Sequence, residues 1–428
     1  MVILNSQMEQ GSFDQNESIW RQETQRRFLF YSHDACGLGH IRRNLAVATA
    51  LTKLAPGVAI LMATGSNDIF QFRRPQGVAV LKLPGLCKLE NESYVARGLA
   101  VSAADILELR SALLKAAVKS FRPNVLLADK HPLGVKKELR PALEALRASG
   151  GRAALGLRDI LDDRTAVLKE WYTHDLYGKI ERYYDQVLIY GHRNIFNPCG
   201  EYDFTKAIAE RTRFCGYVLN HKERDQPAKD PSPPFPFKPR GRPVVLATAG
   251  GGEDGFTLLK AFIAAATKAT WHGVVVTGPL VPENQRRTLQ LLAAEAGVTF
   301  HTFVSGLDRW FDFADAIVCM GGYNTLAEVV SKGAPSVCVP RISPRTEQLI
   351  RANAFFRLGL LVCVEPKDLK PETLCQQVGV ALQRSRQRLR DCAKAHLDFR
   401  GAERAAVHLL DLAKSRNASV SKRELAVT

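Results

Sequence analysis

The stretch AIVCMGGYNTLAE, residues 316–328, joins a short apolar run to two glycines and a helix-forming segment. The apolar run, Ala316 to Met320, predicts a buried parallel strand, and Thr325 to Lys332 predicts the helix that follows it. Gly321 and Gly322 let the chain turn tightly between the two, so that amide groups at the start of the helix face a ligand site. A strand, a glycine turn and a helix in this order are typical of a Rossmann-like fold.

The same alternation continues along the chain in both directions. Strands are predicted at 27–32, 59–63, 124–128, 153–157, 186–190, 244–248, 274–277, 298–303, 336–340 and 361–364. Helices are predicted at 40–54, 105–121, 136–148, 255–269, 282–296, 345–358 and, as one long helical stretch, 372–415. Apolar runs that alternate with helical periodicity indicate an α/β fold, in which parallel sheets are covered on both faces.

Two such domains are predicted, because 428 residues exceed one ordinary core and the composition changes sharply in the middle. Seven of the 21 prolines fall between Asp225 and Pro243, and prolines favour an extended linker. The predicted divisions are a flexible leader (1–25), an N-terminal domain (26–224), a proline-rich linker (225–243), a C-terminal domain (244–385), a C-terminal helical segment (386–415) and a polar tail (416–428). Two facing parallel sheets leave a cleft between the carboxyl ends of their strands, where such sheets bind ligands.

The net charge of +16 and the pI near 9.5 favour an anionic partner. The basic residues are dispersed, and neither zinc-finger spacing nor an aromatic-basic RNA-binding pattern is present, so nucleic-acid binding is not predicted. The polar residues 1–25 do not resemble a signal or transit peptide, and no apolar stretch is long enough to span a membrane. Nine isolated cysteines without a C-x-x-C pair indicate reduced thiols in a cytoplasmic protein, and no metal site is predicted.

A glycine loop follows the first predicted strand and carries Gly37, Gly39, His40 and Arg43. It lacks the third glycine of a dinucleotide fingerprint, so a dinucleotide cofactor is not predicted. His40 stands at the start of a helix facing the expected cleft and is a candidate general base; a capping or packing histidine is the alternative.

A second glycine loop, Gly250–Gly251–Gly252, opens the C-terminal domain at the equivalent position. Three consecutive glycines can form a backbone nest for a phosphate, although a merely flexible loop is the alternative. The Lys-Ser/Thr ending of a P-loop is absent, which argues against nucleoside triphosphate hydrolysis.

Glu328 lies one turn into the helix predicted from Thr325 and could accept hydrogen bonds from a ribose diol. The pair Thr325-x-x-Glu328 also fits a capping box, in which Glu328 would only satisfy the backbone at the helix start. Glu347 and Gln348 open a further helix and could hold sugar hydroxyls, or form a solvated helix face.

Polar residues also follow two predicted strands of the N-terminal domain. Asp129 and His131 follow one strand, and Arg158 and Asp159 end the next, which places them on the predicted cleft rim. Asp129 could assist or replace His40 as the base, while ordinary loop polarity is the alternative for all four.

Together these segments resemble the GT-B glycosyltransferases of the MurG type (glycosyltransferase family 28), which transfer N-acetylglucosamine to a lipid-linked acceptor. The resemblance covers about residues 27–385 and is carried by the two glycine loops, by 314–328 and by 340–348. It implies a C-terminal helix crossing back over the N-terminal domain. The family's glutamine pair is Glu347–Gln348 here, and the loop Gly37-x-Gly39-His40-x-x-Arg43 is also similar to that of the UDP-sugar hydrolases of pseudaminic acid biosynthesis.

The resemblance implies an inverting, metal-independent hexosyltransferase that moves a hexose or N-acetylhexosamine from a UDP-sugar to a lipid-linked or glycan acceptor, without a cofactor. Donor-binding residues would be Gly251, Gly252, Val304, Gly322, Tyr323, Asn324, Thr325, Glu328, Glu347 and Gln348, with Glu328 on the ribose, Asn324 and Thr325 on the diphosphate, Gln348 on the sugar and the backbone at Phe303–Val304 on the uracil. Gly37, Gly39, Arg43, His131, Arg158 and Asp159 would face the acceptor, and His40 with Asp129 would be catalytic.

Two alternatives remain at this stage. A nucleotide-sugar hydrolase or epimerase would use His40 to activate water or substrate. A non-catalytic binding protein for anionic lipid or nucleic acid would explain the charge but would leave the glycine loops without a function. The basic excess predicts a cytoplasmic protein with a peripheral contact to the anionic inner face of the cell membrane.

Overall fold

The computed structural model describes residues 26–32, 39–88, 93–219, 241–252 and 254–424, with side chains up to residue 414. The predicted leader, nearly all of the predicted linker and the last four residues lie outside the described part of the chain.

The N-terminal domain is built on a parallel sheet of seven strands. Its strands are β1 (Arg27–Ser32), β2 (Ala59–Thr64), β3 (Val78–Lys82), β6 (Val125–Asp129), β7 (Arg152–Arg158), β8 (Gln186–Tyr190) and β9 (Thr212–Phe214), and a separate antiparallel pair comprises β4 (Gly85–Lys88) and β5 (Tyr94–Arg97). Its helices are α1 (Gly39–Leu54), α2 (Ala103–Phe121), α3 (Arg140–Ala148), α4 (Arg164–Thr173), α5 (Leu176–Tyr183), α6 (Pro198–Glu201) and α7 (Lys206–Arg211). The strand order β3-β2-β1-β6-β7-β8-β9 reverses direction between β1 and β6.

The C-terminal domain repeats this plan with a parallel sheet of six strands. Its strands are β10 (Val244–Thr248), β11 (His272–Val276), β12 (Thr299–His301), β13 (Ala316–Cys319), β14 (Ser336–Cys338) and β15 (Val362–Cys363). Its helices are α8 (Phe256–Ala266), α9 (Glu283–Glu295), α10 (Leu307–Phe313), α11 (Tyr323–Ser331), α12 (Glu347–Arg357) and α13 (Pro371–Leu382). The order β12-β11-β10-β13-β14-β15 reverses between β10 and β13.

The central strands read as continuous apolar runs because both of their faces are covered by helices. β6 and β10 are buried along their whole length. The predicted α/β fold with two doubly wound sheets is therefore confirmed, and the two reversal points bring four strand ends to one cleft.

The end of the chain returns to the N-terminal domain, as predicted. The predicted helical stretch 372–415 is divided into α13, α14 (Arg386–His396) and α15 (Gly401–Glu424). Helix α15 packs along α1, and its start is tied to the end of the first domain where the amide of Gly401 donates to the carbonyl of Tyr217 (3.0 Å). The helix continues to Glu424, so the backbone of most of the predicted polar tail is helical.

One predicted helix begins later than expected. The periodic pattern from Lys136 predicted a helix to Ala148, but a single 3-10 turn (Val135–Lys137) precedes α3. Lys136 and Lys137 have φ angles of 44° and 72°, which lie in the left-handed region and interrupt a right-handed helix. The antiparallel pair β4–β5 was not predicted at all.

The described cysteines are unpaired thiols. Cys215, Cys319 and Cys338 are buried among apolar side chains, which agrees with the predicted role as small core residues. Burial raises the pKa of the Cys215 thiol to about 12, so this thiol is unreactive at neutral pH.

Candidate functional site

A cleft of about 440 Å³ lies between the two domains at the carboxyl ends of both sheets. Of the predicted site residues, Gly39, His40, Arg43, Arg158, Gly251, Gly252, Val304, Gly322, Tyr323, Asn324, Thr325, Glu328, Glu347 and Gln348 line it. These residues come from both domains, so predicted donor-side and acceptor-side residues lie at one cleft.

Three of the predicted site residues that the structure describes do not line the cleft. Asp129 lies fully buried beneath His40, and Asp159 is buried in the interface between the domains. His131 is partly buried behind the rim, with its amide bonded to the carbonyl of Asp129 (3.0 Å). Gly37 lies outside the described residues.

The start of α11 is the anion-binding feature of the C-terminal wall. The helical ladder begins where the amide of Leu326 donates to the carbonyl of Gly322 (3.0 Å). The preceding amides, those of Tyr323, Asn324 and Thr325, therefore have no acceptor within the helix and lie at its positive end. Because these residues line the cleft, the helix end can bind a negatively charged group there.

The capping-box reading of Glu328 is wrong. Helix α11 is capped by Gly322, so Thr325 is the third residue of the helix, and no side-chain hydrogen bond caps the end. Glu328 instead accepts a hydrogen bond from Nη2 of Arg42 on the opposite domain (2.5 Å). Burial raises the pKa of the Glu328 carboxyl group, and the Arg42 guanidinium opposes that rise.

The loop after β10 is less open than a phosphate nest. The amide of Gly250 donates to Oγ1 of Thr248 (3.2 Å), and the amide of Gly252 donates to the carbonyl of Ala249 (3.3 Å). Two of the three glycine amides are therefore used within the loop, which leaves α11 as the stronger anion site. Gly252 has a φ of 97° and a Cβ there would meet the Thr277 carbonyl at 2.6 Å, so glycine is required for the close approach of these loops.

His40 is held in one orientation by a buried carboxylate. Its Nδ1 lies 2.9 Å from Oδ2 of Asp129, and the guanidinium of Arg43 lies 2.7 Å from the same oxygen. An Nδ1–H that donates to Asp129 fixes the tautomer and leaves Nε2 as the basic nitrogen. Arg43, predicted on the acceptor side, has a side chain only 2% exposed and positions Asp129 instead.

The charges of this group favour a neutral imidazole beside an ionised carboxylate. Burial lowers the pKa of His40, while Asp129 opposes that fall. Burial would raise the pKa of Asp129, but Arg43 and His40 outweigh it and hold the pKa well below its usual range. Asp129 is therefore ionised, but its low pKa makes it a weak base, and it is fully buried and does not line the cleft, which favours His40 for the role of base.

Glu347 and Gln348 form the far end of the C-terminal wall. Oε1 of Glu347 lies 3.2 Å from Arg341 and 3.9 Å from Arg158, whereas its Oε2 is buried without a hydrogen-bond partner. Oε1 of Gln348 accepts from the amide of Arg341 (3.2 Å). From the sequence, Glu347 and Gln348 were expected either to hold sugar hydroxyls or to form a solvated helix face. Both residues are buried, which excludes the solvated helix face.

Tyr323 and Asp159 join the two domains. The hydroxyl of Tyr323 accepts from the amide of Val218 (2.9 Å), and its ring lies between the guanidinium groups of Arg43 (5.7 Å) and Arg351 (5.6 Å). Arg351 makes two hydrogen bonds to Asp159, at 2.7 and 2.9 Å, and a third to the carbonyl of Gly321 (2.9 Å). The rim position predicted for Asp159 is therefore corrected to a buried interdomain ion pair.

Sequence reasoning missed Arg42, Arg341 and Arg351 as part of this site. Arg42 was not predicted as a site residue because the motif Gly37-x-Gly39-His40-x-x-Arg43 includes Arg43 but leaves position 42 unspecified. The first turn of a helix that faces a cleft presents several consecutive side chains, and this was the available signal. Arg351 carries no local signal, since its partner Asp159 is 192 residues away. Arg341 has one partner close in sequence, Glu347, and a second, Asp254, that is 87 residues away.

Two further properties of the described residues bear on the function. No group of three or more His, Cys, Asp or Glu side chains there is arranged to hold a metal ion. In the same part of the chain, every helix is too short or too polar to cross a lipid bilayer.

Two doubly wound domains facing a shared cleft define the GT-B fold, and comparison with solved structures shows the same architecture. The calicheamicin glycosyltransferase CalG4 matches with a TM-score of 0.60 at 18% identity, covering 91% of this chain and 98% of that one. MurG from Acinetobacter baumannii matches with a TM-score of 0.56 at 16% identity, over 91% and 99% of the two chains.

The family is indicated by the second half of the chain. Residues 251–407 match the family model described as the glycosyltransferase family 28 C-terminal domain. The chain thus has the GT-B fold, its residues 251–407 are similar to the family 28 C-terminal domain, and the MurG-type resemblance inferred from its motifs is confirmed.

Curated relatives match the chain only in part. A UDP-N-acetylglucosamine–N-acetylmuramyl-(pentapeptide) pyrophosphoryl-undecaprenol N-acetylglucosamine transferase of Actinobacillus pleuropneumoniae is 22% identical over 199 residues, 46% of this chain and 56% of that protein. The namesake of Mycolicibacterium vanbaalenii is 33% identical over 137 residues, 31% and 33% of the two chains. The chain thus spans about half the length, or less, of the curated relatives it matches.

Proposed function

We propose that this protein is a hexosyltransferase that moves a hexose or N-acetylhexosamine from a UDP-sugar to a lipid-linked or glycan acceptor. The observation that carries the proposal is the arrangement of the cleft. A helix start suited to a diphosphate faces a histidine that is oriented by a buried carboxylate. The named activity of the curated relatives is of the same class.

The donor lies along the C-terminal wall in this proposal. The amides of Asn324 and Thr325 bind the diphosphate at the positive end of α11. Glu328 accepts hydrogen bonds from the ribose hydroxyls, for which it must exchange its bond to Arg42. The backbone at Phe303–Val304, on the cleft wall, meets the uracil.

The sugar extends toward Glu347 and Gln348. The unpartnered Oε2 of Glu347 is a buried acceptor that a sugar hydroxyl can satisfy, which would remove the cost of leaving it unpaired. A carboxylate and an amide at this place support recognition of hydroxyl groups, and the identity of the sugar follows from the assay below.

His40 acts as the base in the transfer step. Its Nε2 takes the proton of the acceptor hydroxyl while that oxygen attacks the anomeric carbon. The bond from this carbon to the β-phosphate oxygen breaks, and the electron pair leaves with UDP toward α11. A single displacement of this kind inverts the anomeric configuration. Asp129 stays ionised and holds the imidazolium that forms.

Metal independence is part of the proposal. The positive end of α11 would stabilise the charge that develops on the leaving diphosphate. Transfer measured in excess EDTA should proceed at the untreated rate, and a loss of activity restored by Mg²⁺ or Mn²⁺ would refute this element.

The decisive assay follows UDP release from a panel of UDP-sugars, with and without lipid-linked and glycan acceptors. Acceptor-dependent release with a glycosylated product supports transfer. Free sugar formed without an acceptor would instead support the hydrolase alternative. His40→Ala should lower kcat by about 10²–10⁴-fold. If no nucleotide sugar binds, the proposal is wrong.

We also propose a cytoplasmic location with peripheral contact to the inner membrane face. The segment from β5 into α2 exposes four large apolar side chains, Val95 (40%), Leu99 (53%), Val101 (49%) and Leu109 (45%). Arg97 lies exposed in the same segment, and the chain carries a net charge of +16. Apolar side chains next to a cation fit an anionic lipid surface.

Vesicle sedimentation tests this contact. The protein should bind vesicles containing phosphatidylglycerol, bind phosphatidylcholine vesicles far less, and be released by high salt. The double substitution Leu99→Ser with Val101→Ser should weaken the binding while leaving UDP affinity unchanged. Equal binding of this variant would place the contact elsewhere.

A further inference from the structure

Two cations without a dedicated carboxylate lie at the ends of adjacent strands of the N-terminal sheet. Arg158 lines the cleft, and Lys130 is partly buried at the neighbouring strand end without lining the cleft itself. Arg158 is the last residue of β7, and Lys130 directly follows the end of β6. The amide of Lys130 donates to the carbonyl of Gly156 (2.8 Å), which holds the two strand ends side by side. Lys130 has a φ of 73°, a backbone strain that is often found in residues of functional sites.

The carboxylates around these cations are already engaged by other arginines. Arg345 pairs with Asp162 (4.0 Å) and Glu170 (3.6 Å). Glu347 accepts from Arg341 at 3.2 Å, so its contact with Arg158 at 3.9 Å is the weaker of the two.

Lys130 forms no ion pair with any carboxylate of the described residues, and Nε of Arg158 is buried without a hydrogen-bond partner. The two strand ends thus present positive charge and a donor that the protein itself leaves unsatisfied.

The pKa values of Lys130 and Arg158 are both lowered, which is consistent with positive charge that the protein does not neutralise. Burial lowers the pKa of Lys130 to about 7, and repulsion from Arg158 and Arg345 adds to this, while Glu170 and Glu347 oppose it. Burial also lowers the pKa of Arg158 to about 10. Neighbouring arginines add to the effect of burial on both residues, Arg158 and Arg345 acting on Lys130 and Arg351 and Arg43 acting on Arg158, and a bound anion would relieve this excess of positive charge.

We propose that Lys130 and Arg158 bind an anionic group of the substrate, a carboxylate or a phosphate, at the sugar end of the cleft. This rests on the proposed function, because it places the anion next to Glu347 and Gln348, where the sugar of the donor would lie. The anion has two possible sources. One is a carboxylate on the transferred sugar, as in a uronic acid, and the other is a phosphate on the acceptor.

Calorimetry with two matched donors tests the first source. UDP-glucuronic acid and UDP-glucose differ only in that a carboxylate replaces the hydroxymethyl group of the sugar. If the anion belongs to the donor, the wild-type protein binds UDP-glucuronic acid at least about tenfold more tightly. The second source is tested by titrating inorganic phosphate into protein saturated with UDP, where a saturable isotherm is expected if the anion belongs to the acceptor.

Variants then assign the effect to the two cations. Lys130→Met and Arg158→Met should each abolish the carboxylate preference or the phosphate isotherm, and Lys130→Arg should retain it. Met and Arg keep the Cβ of residue 130, so the cost of the left-handed backbone is the same in both. Lys169→Met removes an equal charge from the exposed face of α4 and serves as the matched control, with wild-type behaviour expected.

Proton uptake gives an independent readout. Because an anion favours the charged ammonium, its binding raises the pKa of Lys130 from about 7 and takes up a proton at pH 7–8. Calorimetry in two buffers of different ionisation enthalpy measures this uptake, which should disappear in Lys130→Met.

The outcomes separate this inference from the proposed function. If UDP binds but neither UDP-glucuronic acid nor phosphate gains from Lys130 and Arg158, the anion site is wrong and the donor site stands. If neither UDP nor any UDP-sugar binds, the proposed function fails first. Equal losses of UDP affinity in all three Met variants would show a general charge effect and would also overturn the anion site.

Discussion

Replacing Glu328 with glutamine tests the donor site at one atom. The substitution keeps the shape of the side chain and removes its negative charge. In the structure this carboxylate is 8% exposed, lines the cleft and is bonded to Arg42 at 2.5 Å. If it binds the ribose, Glu328→Gln weakens UDP binding because the acceptor is no longer charged.

The size of the effect follows from the hydrogen bonds involved. A hydrogen bond to a charged group contributes about 1.5–3 kcal/mol, and about 1.4 kcal/mol corresponds to a tenfold change in affinity. UDP must also displace Arg42 from Glu328, which offsets part of the binding free energy of the new hydrogen bonds. We therefore expect a loss near the lower end of this range of about 1.5–3 kcal/mol. The Kd for UDP should rise about tenfold. Loss of the partly exposed ion pair should cost only about 1 kcal/mol of folding stability.

The assay is calorimetry with UDP and with 2′-deoxy-UDP, on wild type and variant. A contact to the ribose predicts that the variant discriminates less between the two nucleotides than the wild type does. Arg42→Met is the matched control, because it removes the same ion pair and keeps the carboxylate. The reasoning is refuted if Glu328→Gln binds UDP within twofold of wild type, or loses affinity for both nucleotides equally.

Three further predictions concern the base, the interface and the Gly321–Gly322 turn. The lowered pKa of His40 predicts that kcat/KM falls on the acid side with an apparent pKa below the ordinary value of 6.5, and an apparent pKa above 6.5 would contradict the role as base. Asp129→Asn removes the charge that raises this pKa, so it should move the acid limb to lower pH and reduce kcat. Asp159→Asn should cost about 3–5 kcal/mol in denaturant unfolding because it leaves Arg351 buried without its charge partner, and a cost below about 1 kcal/mol would show that the pair is dispensable. Gly321→Ala places a Cβ 2.7 Å from a carbonyl of α12, so it should displace the turn and lower kcat/KM by about 10²-fold, whereas wild-type kinetics would count against the required close approach.

The fold was predictable because its signal is local and repeated. Apolar runs of strand length, glycine turns and helical periodicity recur along the chain. The central strands are recognised in the sequence as uninterrupted apolar runs, and they are buried along their whole length. The antiparallel pair β4–β5 was missed because its strands are only four residues long and partly exposed. The late start of α3 was missed because the helical periodicity continues through Lys136, where the backbone turns left-handed.

Residues in the first turn of a helix at the cleft were the most readily predicted part of the site. His40 and Asn324 are such residues and line the cleft. The choice between ribose binding and capping for Glu328 could not be made from spacing, since it depends on where α11 begins and on Arg42, which is 286 residues away in the chain. The ion pair of Asp159 joins residues 192 apart, so only the packing of the domains brings it together.

The contacts of Arg351 limit how such a protein can be recombined. This one side chain donates to Asp159 of the first domain and to the carbonyl of Gly321, in the Gly321–Gly322 turn of the second domain. A chimera could take its C-terminal half from a relative without an arginine at position 351. Asp159 would then be buried with no counter-ion, and the turn at Gly321 would lose one hydrogen bond. Grafting a new donor specificity onto this scaffold therefore requires that both halves of the pair be transplanted together, or that the exchange be confined to side chains at the cleft surface.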